Sequence, residues 1–122
     1  MKQNSGKRVL IVDDSEMVRN FHSYIIRMFG YQTETAENGA IALEKLLAEE
    51  YQLLITDINM PKMDGYELIR NVRENGISIP VIVVSTEEEY RSRFSGVEAG
   101  PSLHMVKPTD PEKLITTIKM LL

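Results

Sequence analysis

The sequence predicts an α/β domain of five strand-helix repeats, a (βα)5 chain folded into a doubly wound parallel sheet. Two observations carry that reading. Apolar runs of strand length recur along the 122 residues, and three of them are rich in Val, Ile or Leu without alternation, as strands buried on both faces are. Between the runs, apolar residues fall at helical spacing.

The first run, Arg8 to Val12, is followed by Val18, Phe21, Ile25 and Met28 at helical spacing, with Gly30 as the stop. A weaker run, Gln32 to Ala36, leads to Ile41, Leu43, Leu46 and Leu47. The third, Leu53 to Thr56, leads to Tyr66, Leu68, Ile69 and Val72, and Asn75-Gly76 ends that helix. Val81 to Val84 precedes the thinnest helical pattern, Tyr90, Phe94 and Val97. Leu103 to Val106 precedes the clearest helix start, with Asp110 at a capping position and Pro111 in the first turn, followed by Leu114, Ile115, Ile118 and Leu121. No linker, repeat or low-complexity tract interrupts the alternation. Met1 to Gly6 reads as a flexible N-terminal segment and residues 7–122 as one domain of ordinary size.

Composition narrows the function classes. With 43% hydrophobic and 26% charged residues the chain has material for a core. Zero cysteines exclude disulfides, thiolate metal sites and a cysteine nucleophile. A net charge of −4, with no Lys/Arg run, is a poor match to a phosphate backbone, so direct nucleic-acid binding is not expected. There is no run of about 18 apolar residues for a membrane span, and no apolar segment of signal-peptide type at the start. The expectation is a soluble, cytoplasmic domain.

Parallel strands joined by right-handed crossovers leave their C-terminal ends on one edge, where open sheets of this kind bind ligands. The first polar residues after the runs are Asp13 and Asp14, Asp57, Ser85 with Thr86, and Lys107. Taking the flavodoxin-like strand order 2-1-3-4-5 as the working order, strands one and three are neighbours and their carboxylates meet. Three carboxylates in a partly desolvated cleft repel, and proton uptake or a cation must relieve them. Hard oxygen donors without His or Cys point to Mg2+, with Mn2+ as an alternative, and Mg2+ leaves positions for phosphate oxygens. A carboxylate can then act as a nucleophile toward phosphorus, and Asp57 after the central strand is best placed for it. Ser85 and Lys107 supply a hydroxyl donor and a fixed positive charge.

Taken singly, each residue has a plainer reading. Asp13 and Asp14 suit a helix start. Ser85 and Thr86 before Glu87-Glu88-Glu89 suit a capped, acidic first turn, and Lys107-Pro108 suits a surface turn. Asp64-Gly65 reads as structural, and the seven methionines, Met17, Met28 and Met105 among them, as core filler or interface.

In conjunction, Asp13-Asp14-Ser15, Thr56-Asp57 through Asp64-Gly65, Val84-Ser85 and Lys107-Pro108 stand in order at compatible spacing. Residues 7–122 therefore resemble the receiver domain of two-component response regulators, closest to single-domain chemotaxis regulators of the CheY type. The resemblance implies phosphorylation of Asp57 by a sensor histidine kinase or a small phosphodonor. It implies Mg2+ held by Asp14, Asp57 and the Asn59 backbone carbonyl, with Asp13 nearby, largely through water. Ser85 and Lys107 would contact the phosphoryl group, and Lys107-Pro108 would be cis. Asn59 and Glu87 fall at the positions that tune loss of the phosphoryl group. His104 stands where the family has an aromatic switch residue; by itself it reads as an edge-strand surface residue, and under the resemblance as a smaller switch ring whose preference shifts with pH.

Two departures bear on output. Thr86 is bulkier than the small residue usual after the switch hydroxyl, which would restrict access to Asp57. Pro101 and Leu103 alter the turn before the fifth strand, shaping the face made by the fourth helix, fifth strand and fifth helix for a partner of its own. The expected function is a phosphorylation-controlled switch, not a turnover enzyme, that passes its signal by protein contact to a target such as a flagellar motor switch protein. It is expected to be monomeric, with phosphorylation-linked dimerisation as an option. The Met1 start and the lack of chain after the fifth helix favour a stand-alone regulator over a domain excised from a larger one. Three other readings fit less well. A haloacid-dehalogenase-like phosphatase needs an Asp-x-Asp motif, a flavodoxin-like FMN carrier needs a donor-rich first loop, and a phosphorylation-independent binding module has no use for the complete residue set.

Overall fold

The computed structural model describes residues 6–94 and 103–122. Met1 to Ser5 of the N-terminal segment, Val97 and Pro101 lie outside the described residues. Strands and helices alternate as β1 (Arg8–Val12), α1 (Glu16–Met28), β2 (Gln32–Ala36), α2 (Gly39–Ala48), β3 (Leu53–Thr56), α3 (Gly65–Glu74), β4 (Val81–Ser85), α4 (Glu87–Phe94), β5 (Leu103–Val106) and α5 (Pro111–Leu121). All strand pairs are parallel, in the order β2-β1-β3-β4-β5. The order reverses between β1 and β3, so their C-terminal ends flank the crevice where such sheets place a ligand.

The unalternating strands are explained by two cores. Successive side chains point to opposite faces: Leu10, Val12, Leu54, Val81 and Val83 pack with α2, α3 and Phe94 of α4 on one face. Val9, Ile11, Leu53, Ile55, Ile82 and Val84 pack with α1 and α5 on the other. Each fully buried Leu, Ile or Val contributes about 1.5–3 kcal/mol relative to exposure. β2 and β5 are the edges, which accounts for the alternating burial of Gln32–Ala36 and the exposure of Leu103 and Val106. β4 runs one residue beyond Val84, and Ser85 closes the ladder opposite Val106.

Helix ends follow their sequence signals with two exceptions, at the starts of α1 and α5. Ser15, not either aspartate, caps α1 by accepting the Val18 N–H at 3.3 Å. Asn38 caps α2, and Asp64 with Glu67 forms a reciprocal capping box at α3. Gly30 and Gly76 follow α1 and α3 with positive φ, the conformation in which glycine is unstrained. Asp110 stands at the capping position of α5, but its side chain makes no capping bond; Pro111 in the first turn is what marks that start.

The apolar pattern of α1 needs correction. Its core face is His22, Ile25 and Ile26, whereas Phe21 is 46% and Met28 63% exposed. With Met17 and Tyr24, also exposed, they form a second stripe at 4-3-4 spacing on the outer side of the helix. Two interleaved stripes satisfy the same 3.6-residue period, so the sequence pattern selects residues from both. Leu47 of α2 is likewise exposed. The methionines divide: Met17, Met28 and Met120 lie on the surface, and Met60, Met63 and Met105 pack against the cores.

Candidate functional site

The chemistry-bearing residues are fixed by the last backbone bonds of the sheet. Asp13 N–H donates to Ala36 O at 3.2 Å, Asp57 N–H to Val12 O at 3.0 Å, and Lys107 N–H to Ser85 O at 3.0 Å. Each residue thus continues a strand just past its end and leans over the same edge. The Lys107-Pro108 bond is cis. Ile58, buried in the core, donates its N–H to Asp57 Oδ1 at 2.8 Å, and its carbonyl accepts the Gly65 N–H at 2.8 Å. A Cβ on Gly65 would run into the Asp57 backbone carbonyl. Glycine is therefore required where α3 begins, and Asp64-Gly65 supports the site through the backbone.

One carboxylate oxygen each from Asp13, Asp14 and Asp57 lies within 4.8 Å of the others. Asp13 and Asp57 are buried and Asp14 is exposed. Burial pushes the Asp13 carboxyl up to about 6; the Ser15 N–H on its Oδ1 at 2.9 Å works against this and the charge of Asp57 adds to it. Asp57 is also raised, by burial first, with Lys107 and the Ile58 N–H opposing. Lys107 Nζ stands 3.2 Å from Asp57 Oδ1. Burial disfavours its ammonium, yet the charges of Asp57, Asp13 and Glu89 outweigh it and hold its pKa above the ordinary value. Two buried carboxylates facing a third, with their proton affinity raised, make a donor set of hard oxygens suited to a divalent cation. The residues present fit Mg2+.

Ser85 is buried, and the bonds of its hydroxyl go to groups outside this cluster. Its hydroxyl donates to Thr86 O at 2.9 Å and lies 3.0 Å from His104 Nε2. The His104 ring stacks on Tyr90 of α4, with centroids 3.9 Å apart and planes 5° from parallel. His104 is therefore a bridge from β5 to Ser85 and α4, not a free surface residue.

Glu87 does not join the site. It is exposed and pairs along the helix with Arg91 at 3.4 Å. Asn59 instead donates its side-chain amide to Glu89 Oε2 at 2.7 Å. Glu89 also accepts the Thr86 N–H and donates its own N–H to Thr86 Oγ1, both at 3.1 Å. The spacing Thr86-x-x-Glu89 is a capping-box signature, so Glu89 was legible as something other than solvated charge. Arg93, also unmarked by sequence pattern, reaches Asp64 at 2.9 Å and lies over the Tyr66 ring, tying α4 to the start of α3.

The profile of the response regulator receiver domain matches residues 9–119. The chain belongs to this family. Among curated proteins, the receiver domain is 34% identical over 122 residues to the transcriptional regulatory protein ResD of Bacillus subtilis, covering all of this chain and 50% of that one. It is 35% identical over 113 residues to the sensor protein EvgS of Escherichia coli, covering 93% of this chain and 9% of that one. The receiver domain spans about half the length of the curated regulators it matches, ResD and PhoP of Bacillus subtilis among them. Among solved structures, the chemotaxis response regulator CheY4 of Vibrio cholerae is 34% identical with a TM-score of 0.86, covering 95% of this chain and 98% of that one. Response regulator TrrA of Thermotoga maritima, solved with Mg2+-BeF, is 34% identical with a TM-score of 0.85, covering 95% and 99%.

Proposed function

We propose that this receiver domain accepts a phosphoryl group on Asp57 and signals through the face formed by α4, β5 and α5. The observation that carries the reading is the acidic cluster, three carboxylate oxygens within 4.8 Å, joined to Lys107 at 3.2 Å from Asp57. An Asp57 carboxylate oxygen attacks phosphorus, and a P–O bond forms as the donor's P–N or P–O bond breaks. The leaving imidazole or acetate departs with the bonding electron pair. Loss of the phosphoryl group is attack by water at the same phosphorus, which returns the carboxylate and releases inorganic phosphate. Asp13, Asp14, Asp57 and the Asn59 carbonyl would hold Mg2+, which supplies charge neutralisation for the oxygens of the transferring group. Lys107 adds a fixed positive charge at the acceptor oxygen. Ser85 would turn from Thr86 O toward the phosphoryl oxygens and release His104, so that the stacked His104 and Tyr90 carry the change to α4 and β5. The domain is in this reading a switch with self-directed phosphorylation and dephosphorylation chemistry.

A sensor histidine kinase is the proposed donor, supported by the EvgS match and by the apolar outer stripe of α1 beside the Asp13-Asp14 loop. The likeness to the chemotaxis response regulator CheY4 supports a chemotaxis-type role, and a stand-alone regulator acting on a motor switch protein is proposed with it. Half coverage of the ResD and PhoP regulators supports the alternative of a fused output domain. No helix among the described residues is long and apolar enough to cross a membrane, and a cytoplasmic setting is proposed.

The test is intact-mass spectrometry after incubation with acetyl phosphate, with and without Mg2+. One Mg2+-dependent phosphoryl adduct, absent in Asp57→Asn, is the expected result. A folded, Mg2+-binding protein that takes no adduct from acetyl phosphate or a kinase would favour a phosphorylation-independent module.

A further inference from the structure

We propose that Glu89 is a positioning and selectivity residue for phosphoryl transfer, a fixed negative charge at the mouth of the site that discriminates between phosphodonors by their charge. The inference rests on the phosphoacceptor reading of Asp57.

Glu89 holds three hydrogen bonds that together leave its carboxylate little freedom. Oε1 accepts the Thr86 N–H, the Glu89 N–H caps onto Thr86 Oγ1, and Oε2 accepts the side-chain amide of Asn59. Thr86 follows Ser85, and Asn59 lies two residues beyond Asp57. The carboxylate is thus pinned between the ends of β3 and β4, the two strands that supply the acceptor and the hydroxyl. Its charge reaches the site, since Glu89 is among the groups that raise the proton affinity of both Asp57 and Lys107. Glu87 and Glu88 on the same turn lack this placement: Glu87 pairs with Arg91, and Glu88 is exposed.

A donor must bring its phosphoryl group past this charge to form the P–O bond to Asp57. Acetate leaves as the P–O bond of acetyl phosphate breaks, and ammonia leaves as the P–N bond of phosphoramidate, already protonated on nitrogen, breaks. Near neutral pH acetyl phosphate is a dianion, and phosphoramidate carries one fewer net negative charge. Two unit charges about 6 Å apart in a water-like medium repel enough to alter a rate by about threefold. Glu89 is therefore expected to slow acetyl phosphate by about tenfold and phosphoramidate by about threefold.

Glu89→Gln removes the charge and keeps a capping side chain, with Asn59 able to turn its amide and present its oxygen. The measurement is the second-order rate of adduct formation by rapid quench and intact mass, for both donors at saturating Mg2+ and at low and high salt. The expected result is a rise in both rates, a two- to fourfold rise in the acetyl phosphate to phosphoramidate ratio, and collapse of the difference at high salt. Glu89→Ala should change the ratio in the same sense even if α4 loosens, and Glu88→Gln should leave it unchanged. An unchanged ratio in both Glu89 variants, with adduct still forming on Asp57, overturns the inference and leaves the phosphoacceptor reading standing. A shift as large in Glu88→Gln or Glu87→Gln also overturns it. No adduct in the wild-type protein from either donor removes the phosphoacceptor reading, and this inference with it.

Discussion

Replacing Asp13 by Asn takes one negative charge out of the cluster while keeping an oxygen to accept the Ser15 N–H, now bonded at 2.9 Å. The carboxyl is held at about 6 in the folded protein against an ordinary 3.8, a gap that corresponds to about 3 kcal/mol. The sign follows from proton binding. The folded state keeps a proton that the unfolded state has already lost, so folding becomes less favourable as pH rises from about 4 to about 6, and the deficit is complete above that. In EDTA near neutral pH, Asp13→Asn should therefore be more stable than wild type by up to about 3 kcal/mol. At roughly 2.1 cal/mol/K of unfolding entropy per residue, over 122 residues, the ceiling is a rise in Tm of about 12 °C. Thermal unfolding followed by circular dichroism, at about pH 4 and about pH 7, measures it, because the contributions of other groups largely cancel between the two proteins. Saturating Mg2+ should then stabilise wild type more than the variant by mass action and narrow the gap. A variant less stable than wild type near neutral pH, or an advantage equal at both pH values, would refute the claim that the cluster is held under electrostatic strain.

The other expectations concern single residues. Asp14→Ala should weaken Mg2+ binding at least as much as the roughly 10- to 100-fold typical of losing an outer-shell partner, read by calorimetric titration; unchanged affinity would contradict its place in the donor set. Lys107→Ala removes a positive charge beside Asp57, so Mg2+ affinity should hold or rise, while the phosphorylation-dependent change in amide exchange over β5 and α5 is lost. Retention of that change would show that Lys107 takes no part in output. Gly65→Ala should cost about 1–3 kcal/mol by overpacking, measured in urea, and should slow phosphorylation by shifting the Asp57 carbonyl that its Cβ would strike; full stability with a wild-type rate would sink that account.

The strands were legible because a residue buried on either face must be apolar, and Arg8–Val12, Leu53–Thr56 and Val81–Ser85 are covered on both. The residues at their ends were legible for a related reason: a polar side chain that breaks an apolar run marks where burial on both faces stops, and three such runs deliver Asp13 and Asp57, just past their strands, and Ser85, the last residue of its own, to one edge. The outer stripe of α1 was misread because helical periodicity does not say which of two apolar stripes faces inward. The same limit applies to α4. The resemblance gave Asn59 and Glu87 the positions that tune loss of the phosphoryl group, but a helix turns about 100° per residue, and the carboxylate that bonds Asn59 is that of Glu89, which completes the Thr86 capping box. His104 was placed on the correct strand, yet its stacking on Tyr90 and contact with Ser85 depend on how α4 packs over β5, which no local pattern encodes.

The central claim is that the phosphoryl group resides on Asp57. Borohydride reduces an aspartyl phosphate to homoserine, so treatment with acetyl phosphate and Mg2+, then borohydride, then peptide sequencing by tandem mass spectrometry locates the modified residue. The account predicts conversion at position 57, dependent on Mg2+ and absent without the phosphodonor. Conversion at Asp13, Asp14 or another carboxylate instead, in protein that carries the adduct, would contradict it.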